Sequence, residues 1–360
     1  MFPRRSAAAV LLVAFVVAQR CDALPVFAKR YGVACSQCHT IVPHLNAFGQ
    51  AFMLAGFRAP RGMDEHGAFP VALKLNLAYS SDSGTLPGFY VDEVELLAGA
   101  SVGKHLSYRI EQHIVDGGLP GLTRDAWLRY TNRPLFGDFR PAVRATAGQF
   151  TLPLPVDPET QRDTINHYAI FDQTVAANPF NLFDDRIGLD AAYGRDARGL
   201  DAHVLPIKGH DPQSGLPTDG MDLMEVVQAG SPAALFFAYR YAGTRPLQPT
   251  PDRFWRQAIA LNATLPPTEI NALAQTGKDD SAFGDAVTAS SAGGYLQVRR
   301  ALGARALFVT RYDFATATFG ASTHTVTASF IFGPIRNGRF TLEGVFGGKR
   351  QYNAAWLTAF

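Results

Sequence analysis

The run Cys35-Ser36-Gln37-Cys38-His39 carries the most specific chemistry in the chain. Two thiols three residues apart, followed at once by a histidine, form the c-type haem attachment pattern. The thiols add across the two porphyrin vinyl groups, and the spacing lets both sulfurs reach one edge of the macrocycle. The histidine then lies under the iron as its proximal ligand, and axial ligation sets the potential. Other uses of the run fit less well. A zinc site needs four ligands, often two cysteine pairs. This chain has 3 cysteines, and the third, Cys21, falls in what reads as a removed leader. A thioredoxin-like redox motif needs a βαβ context, which does not surround the run. The residues therefore imply one covalent haem c on Cys35, Cys38 and His39.

The elements that position this run begin with an export signal over residues 1–23. Arg4 and Arg5 precede an unbroken apolar stretch from Ala7 to Ala18, too short to span a bilayer. Cleavage fits after Ala23 and also after Ala18. The mature chain is thus expected outside the cytoplasm. Composition is 47% hydrophobic, yet beyond the leader no apolar run approaches the ~20 residues of a transmembrane helix. A formal charge of +2 supplies no basic field for nucleic acid. Two architectures remain, a large soluble β protein and an outer-membrane barrel.

Residues 24–68 read as a short helical and irregular segment. Phe48, Phe52 and Ala55 recur at helical spacing, with Gly56 as a stop. Such a segment is too small to bury a porphyrin alone. From residue 69 the period changes to two. Leu73, Leu75 and Leu77 alternate with Lys74 and Asn76, and Tyr108, Ile110 and Ile114 with Arg109, Glu111 and His113. Leu235, Phe237, Tyr239 and Tyr241 form an apolar face against Phe236, Ala238 and Arg240, and on each strand the apolar face is expected toward lipid and the charged or small face toward the lumen. About sixteen such segments follow, an even number. Short turns at Gly103-Lys104, 194–199, 230–232 and Gly303 are expected to alternate with longer loops at 80–88, 116–123, 207–220, 243–252 and 275–286. The last segment ends in alternating Tyr352, Trp356 and Phe360. The pattern predicts an all-β transmembrane barrel of about sixteen antiparallel strands over 69–360. The connection 151–185 is unusually long and aromatic, with a helical stretch expected from Asp163 to Thr174. It either folds into the barrel or forms an ordered external lid.

Several side chains are candidates for the distal side of the haem or for cations. Met53 lies fourteen residues beyond His39 on the expected helix. It can supply a thioether, or fill a core. His44 is close to the run but too constrained to reach the opposite face. His105 and His113 read as inward on one strand, and either can cap a haem in the lumen or stand solvated there. Asp92, Glu93 and Glu95 fall on the second strand, with Glu93 and Glu95 inward. Hard oxygen ligands suit divalent iron, while ordinary lumen polarity is the plainer reading. Arg109 and Glu111 read as structural charge. No hydrolytic or phosphate-binding motif stands out.

Pro25, Phe27, Arg30, Gly32, Cys35, Cys38, His39, Thr40, Pro43, Leu45, Phe48, Gly49, Phe52 and Gly56 together resemble the haem segment of the fused outer-membrane cytochrome–porins of iron-oxidising bacteria. The motif match covers 25–57; beyond it the resemblance is one of architecture and of the Gly148-Gln149-Phe150…Pro153 region. This chain is short for that family and has Phe57 where a Tyr is more usual. The resemblance implies a Gram-negative outer-membrane protein, with the haem segment in the barrel lumen or on the periplasmic side. It would take electrons from extracellular Fe(II) and pass them to a periplasmic acceptor such as a soluble cytochrome c. The alternatives are a diffusion porin whose haem is a structural or sensory plug, and a conduit to a non-iron partner.

Overall fold

The computed structural model describes residues 26–359, apart from 64–65, 67–70, 83–87, 139, 159, 196–198, 212–215, 232 and 336 and the side chains of 210, 211, 216 and 217. The expected leader and Phe360 lie outside the described residues.

Two short helices lead, α1 (Val26–Tyr31) and α2 (Ala47–Leu54), with a small hairpin between them that pairs His39–Ile41 with His44–Leu45. Sixteen long strands follow among the described residues. The first eight are β1 (Val71–Ser80), β2 (Gly88–Val102), β3 (Leu106–Asp116), β4 (Thr123–Thr131), β5 (Ala142–Phe150), β6 (Arg186–Gly194), β7 (Gly199–Asp211) and β8 (Leu216–Ser231). The rest are β9 (Ala234–Arg245), β10 (Asp252–Leu265), β11 (Thr268–Asp279), β12 (Ala289–Ala301), β13 (Ala306–Ala317), β14 (Thr323–Ile335), β15 (Gly338–Phe346) and β16 (Arg350–Ala359). Each pairs antiparallel with its sequence neighbour. β16 closes on β1, with Ala359 opposite Lys74 and Asn353 opposite Ser80. Closure leaves no unpaired edge, which a lipid environment demands.

The two faces divide as a membrane barrel requires. Leu223, Phe236, Ile259, Leu296, Phe330 and Leu342 are exposed on the outside, whereas Arg144, Asp201, Arg256, Gln275, Arg311 and Glu343 are buried inside. No helix among the described residues is long and apolar enough to cross a membrane; the strands do so. One strand runs against the expected sidedness. On β9 it is Phe237, Tyr239 and Tyr241 that face inward and Phe236 and Arg240 that face out. A period of two defines two faces but not which is interior. Here the interior is decided by an aromatic partner, since Phe180 of the 151–185 connection packs on Tyr241 at 4.5 Å.

That connection folds inside the barrel. Asn178 donates to Asp279 at 2.8 Å, Tyr168 donates to Gln297 at 2.9 Å, and Asn262 donates to the Pro155 carbonyl at 2.8 Å. Tyr168 also packs on Tyr295 at 4.6 Å. The stretch from Asp163 to Thr174 is turns and bends rather than the expected helix. Its backbone is engaged by the wall instead. The Ile165 and Asn166 amides donate to Glu343 at 2.8 and 2.7 Å, and Arg311 donates to the Asn166 and His167 carbonyls at 2.9 and 2.7 Å. A helix would draw those carbonyls into its own ladder. The expected loops 207–220 and 275–286 are also shorter than the pattern suggested, because β7, β8 and β11 run on to Asp211, from Leu216 and to Asp279.

Candidate functional site

Cys35–Gln37 forms a single 3₁₀ turn in which the Cys38 amide donates to the Cys35 carbonyl at 3.1 Å. Cys35 and Cys38 are not joined to each other. Cys35 is buried against Val42 and Leu357. Burial, and then the neighbouring Cys35, push the Cys38 thiol up to about 11. His39 opens the small hairpin, and its Nδ1 donates to the Pro43 carbonyl at 2.8 Å. A carbonyl can only accept, so Nδ1 holds the proton and Nε2 keeps the lone pair. Burial pulls the imidazole below its ordinary pKa. A neutral imidazole with its proton on Nδ1 is the form that binds a metal, and a carbonyl partner of this kind is what orients ligating histidines. The thiol pair on one tight turn, next to an imidazole in the ligating tautomer, fits the group the sequence implies.

Asn46 holds this turn to α2. Its Oδ1 accepts from the Gly49 amide at 3.0 Å, capping the helix. Its Nδ2 donates to the Ser36 and Gln37 carbonyls at 3.3 and 3.1 Å, and its own amide donates to the Cys38 carbonyl at 2.8 Å. The helix approaches so closely that a Cβ on Gly49 would stand 2.2 Å from the Cys38 carbonyl oxygen. The expected apolar face forms. Phe52 is buried and meets Phe27 at 5.0 Å and Tyr31 at 5.6 Å, while Phe48 meets Phe136 at 4.8 Å. Gly56, at φ +67°, ends the helix as its spacing suggested.

The segment is tied to inward-facing side chains at the end of the barrel with the short turns. Thr40 Oγ1 accepts from Arg299 at 3.3 Å, and Ile41 is buried with Leu307, Val309 and Ile331. Arg58 donates to the Gly103 and Leu106 carbonyls at 2.9 Å each. Burying Ile41 contributes about 2 kcal/mol. His44 lies 3.5 Å from Asp163, which also pairs with Arg299 at 2.9 Å and Arg339 at 3.8 Å. Burial pushes the Asp163 carboxyl up, but His44, Arg299 and Arg339 outweigh it and hold it down at about 2. Asp163 thus joins the segment, the inner loop and the wall. In outer-membrane barrels the short turns face the periplasm.

The distal candidates separate. Met53 is half-buried on α2, packed on the main core, and lines a cavity of about 610 Å³ together with Thr40, His44, Trp127 and Arg299. His44 is held by Asp163. His105 is not on a strand facing inward, as expected. It completes the tight turn after β2, with its Nδ1 donating to the Thr131 carbonyl at 3.0 Å and its ring on Tyr130 at 5.7 Å. The turn takes three residues rather than two, which removes His105 from the alternation. His113 does face inward, but is buried in the wall among Glu93, Glu95 and Glu111. Arg109 pairs with Glu111 and with Asp125 at 3.1 Å, as structural charge. Asp92 accepts from Asn76 at 2.7 Å. A second cavity of about 830 Å³ is lined by Pro43, Lys74, Asp92, Glu93, Arg339 and Leu357 among others. Pro43, Asn46 and Asp163 were not singled out as site residues by their types. Only the polar Asn four residues before Gln50, at a helix start, carried a local signal.

No family model matches the sequence, and no curated protein matches it. Solved structures do match in fold. The anion-selective porin from Comamonas acidovorans aligns at TM-score 0.60 and 11% identity, over 81% of this chain and 98% of that one. The channel DcaP of Acinetobacter baumannii aligns at 0.59 and 12%, over 81% and 96%. Salmonella typhi OmpF, solved in complex with daunomycin, aligns at 0.60 and 9%, over 81% and 97%. The chain has a porin-type outer-membrane barrel fold.

Proposed function

We propose that this chain is an outer-membrane electron-transfer protein. It would carry one covalent haem c and move electrons from an extracellular donor, Fe(II) in the leading reading, to a periplasmic acceptor such as a soluble cytochrome c. The observation that carries the reading is the Nδ1 bond from His39 to Pro43, which leaves Nε2 as a ligand nitrogen directly after the thiol pair on one turn. When bound, the haem supplies a one-electron iron centre. Cys35 and Cys38 would tether it and His39 would supply an iron ligand. Met53, which lines a cavity with Thr40 and His44, is the candidate for a further ligand. The bonds from Arg299 to Thr40 and from Arg58 to the Gly103 and Leu106 carbonyls tie the segment to the short-turn end of the barrel, which supports a periplasmic-end location for it.

The diffusion-porin reading is favoured by the fold but opposed by the filling of the interior. The connection 151–185 crosses the lumen and the 26–63 segment contacts the wall at its narrow-turn end. The test is spectroscopic and electrical on one preparation. Purified protein should give a c-type pyridine haemochrome at one haem per chain, retained on a denaturing gel and lost in Cys35→Ser/Cys38→Ser. In planar bilayers it should conduct far less than an open porin. A colourless protein with full porin conductance would overturn the proposal.

A further inference from the structure

We infer that the barrel wall holds a second metal site, for a divalent first-row transition cation, built by Glu93, Glu95 and His113. The site does not depend on the haem reading.

The strands bring the three residues together. Glu95 lies opposite Lys74 of β1 and His113 of β3. The β2–β3 register slips between Val94 and Glu95, and a bulge is a common means of re-aiming a side chain beside a site. His113 is 1% exposed, Glu95 and Glu111 are fully buried, and Glu93 is partly open. His113 Nε2 points into the carboxylates, 3.6 Å from Glu93 Oε1, 3.5 Å from Glu95 Oε2 and 3.4 Å from Glu111 Oε1. Its Nδ1 makes no hydrogen bond and faces Asp116 Oδ2 at 3.8 Å.

Two features separate this from ordinary wall charge. First, a buried imidazole normally makes at least one short hydrogen bond, with donor and acceptor ~2.7–3.2 Å apart. His113 Nε2 instead makes one long bond, to Glu111 at 3.4 Å, and stands at nearly the same range from Glu93 and Glu95. Second, that range is the spacing between ligands around a metal. Donors ~2.1 Å from a tetrahedral centre lie ~3.4 Å from one another. One ligand atom each from Glu93, Glu95 and His113 lies within 4.8 Å of the others. One imidazole with carboxylates suits Fe(II), Mn(II), Co(II) or Zn(II) better than the hardest cations.

Lys74 is the built-in competitor. Its ammonium contacts Glu95 and lies 3.1 Å from Glu93. It holds the carboxylates together as a cation would, and entry of a metal would displace it toward the 830 Å³ cavity it also lines. Glu93 lines the same cavity, which gives the cation its way in.

The test uses full-length protein in detergent and Co(II) as the probe. Isothermal titration should give one equivalent bound, and Co K-edge absorption should show an imidazole in a low-coordinate N/O shell. His113→Gln and Glu95→Gln should each weaken binding at least tenfold. Lys74→Met should tighten it, whereas a mere ion-pair network would lose stability and gain no affinity. Because a carboxylate variant can misfold, the wild-type absorption spectrum and Lys74→Met decide independently. A Co(II) shell without imidazole, or Lys74→Met binding no more tightly than wild type, would overturn the site.

Discussion

Replacing Asp163 by Asn tests the joint between the thiol–histidine segment and the barrel. The carboxyl is held at about 2 against an ordinary 3.8, by His44, Arg299 and Arg339 acting against burial. One pH unit is ~1.4 kcal/mol, so the ionised carboxylate stabilises the docked arrangement by about 2 kcal/mol at pH 7. Asn keeps the shape but not the charge. His44 is the partner that belongs to the segment, so the docked segment should open more often in the variant, by up to about 30-fold. The amides of the turn and hairpin, such as Asn46, which donates to the Cys38 carbonyl, report that opening by hydrogen exchange at pH 7. The pH dependence has a definite sign. The folded pKa is lowered, so the contribution is present above the ordinary carboxylate pKa and fades as pH falls from about 4 toward 2. Urea titrations of segment release should thus show a gap between wild type and Asp163→Asn that closes across this window. Exchange within threefold of wild type at pH 7, or a gap that persists at pH 2, would refute the coupling.

Asn46→Ala removes the α2 cap and two bonds to the thiol turn, and should cost about 1–2 kcal/mol in urea unfolding of the segment while lowering haem occupancy. Gly49→Ala forces a Cβ against the Cys38 carbonyl, and should destabilise the same unit by roughly 1–3 kcal/mol, read by the same titration. Arg311→Ala removes the guanidinium that stacks on Tyr168 at 3.9 Å and pairs with buried Asp313 at 2.6 Å. It should cost roughly 3–5 kcal/mol and release the inner loop, raising single-channel conductance.

The barrel was legible because a period of two, sixteen times repeated, has few other physical meanings, and strands such as Val71–Ser80 and Gly338–Phe346 show the expected faces. The helix over Phe48, Phe52 and Ala55 and its stop at Gly56 were legible for the same local reasons. What stayed hidden depends on contacts far apart in sequence. Tyr241 faces inward because Phe180, from another part of the chain, is there to meet it. The stretch after Asp163 is not helical because Arg311 and Glu343 take its backbone groups. His105 left its expected face through a one-residue difference in a turn. The spacing of the thiols and His39 lies open in the sequence, but the Pro43 carbonyl that bonds the His39 Nδ1 does not.

The central claim is tested most directly in sealed liposomes carrying the purified protein, with Fe(II) added only outside and the haem absorption followed in a stopped-flow instrument. The account predicts growth of the reduced c-type α band on mixing, lost in His39→Ala. Protein that carries no haem, or haem that stays oxidised until the vesicles are broken, would contradict it.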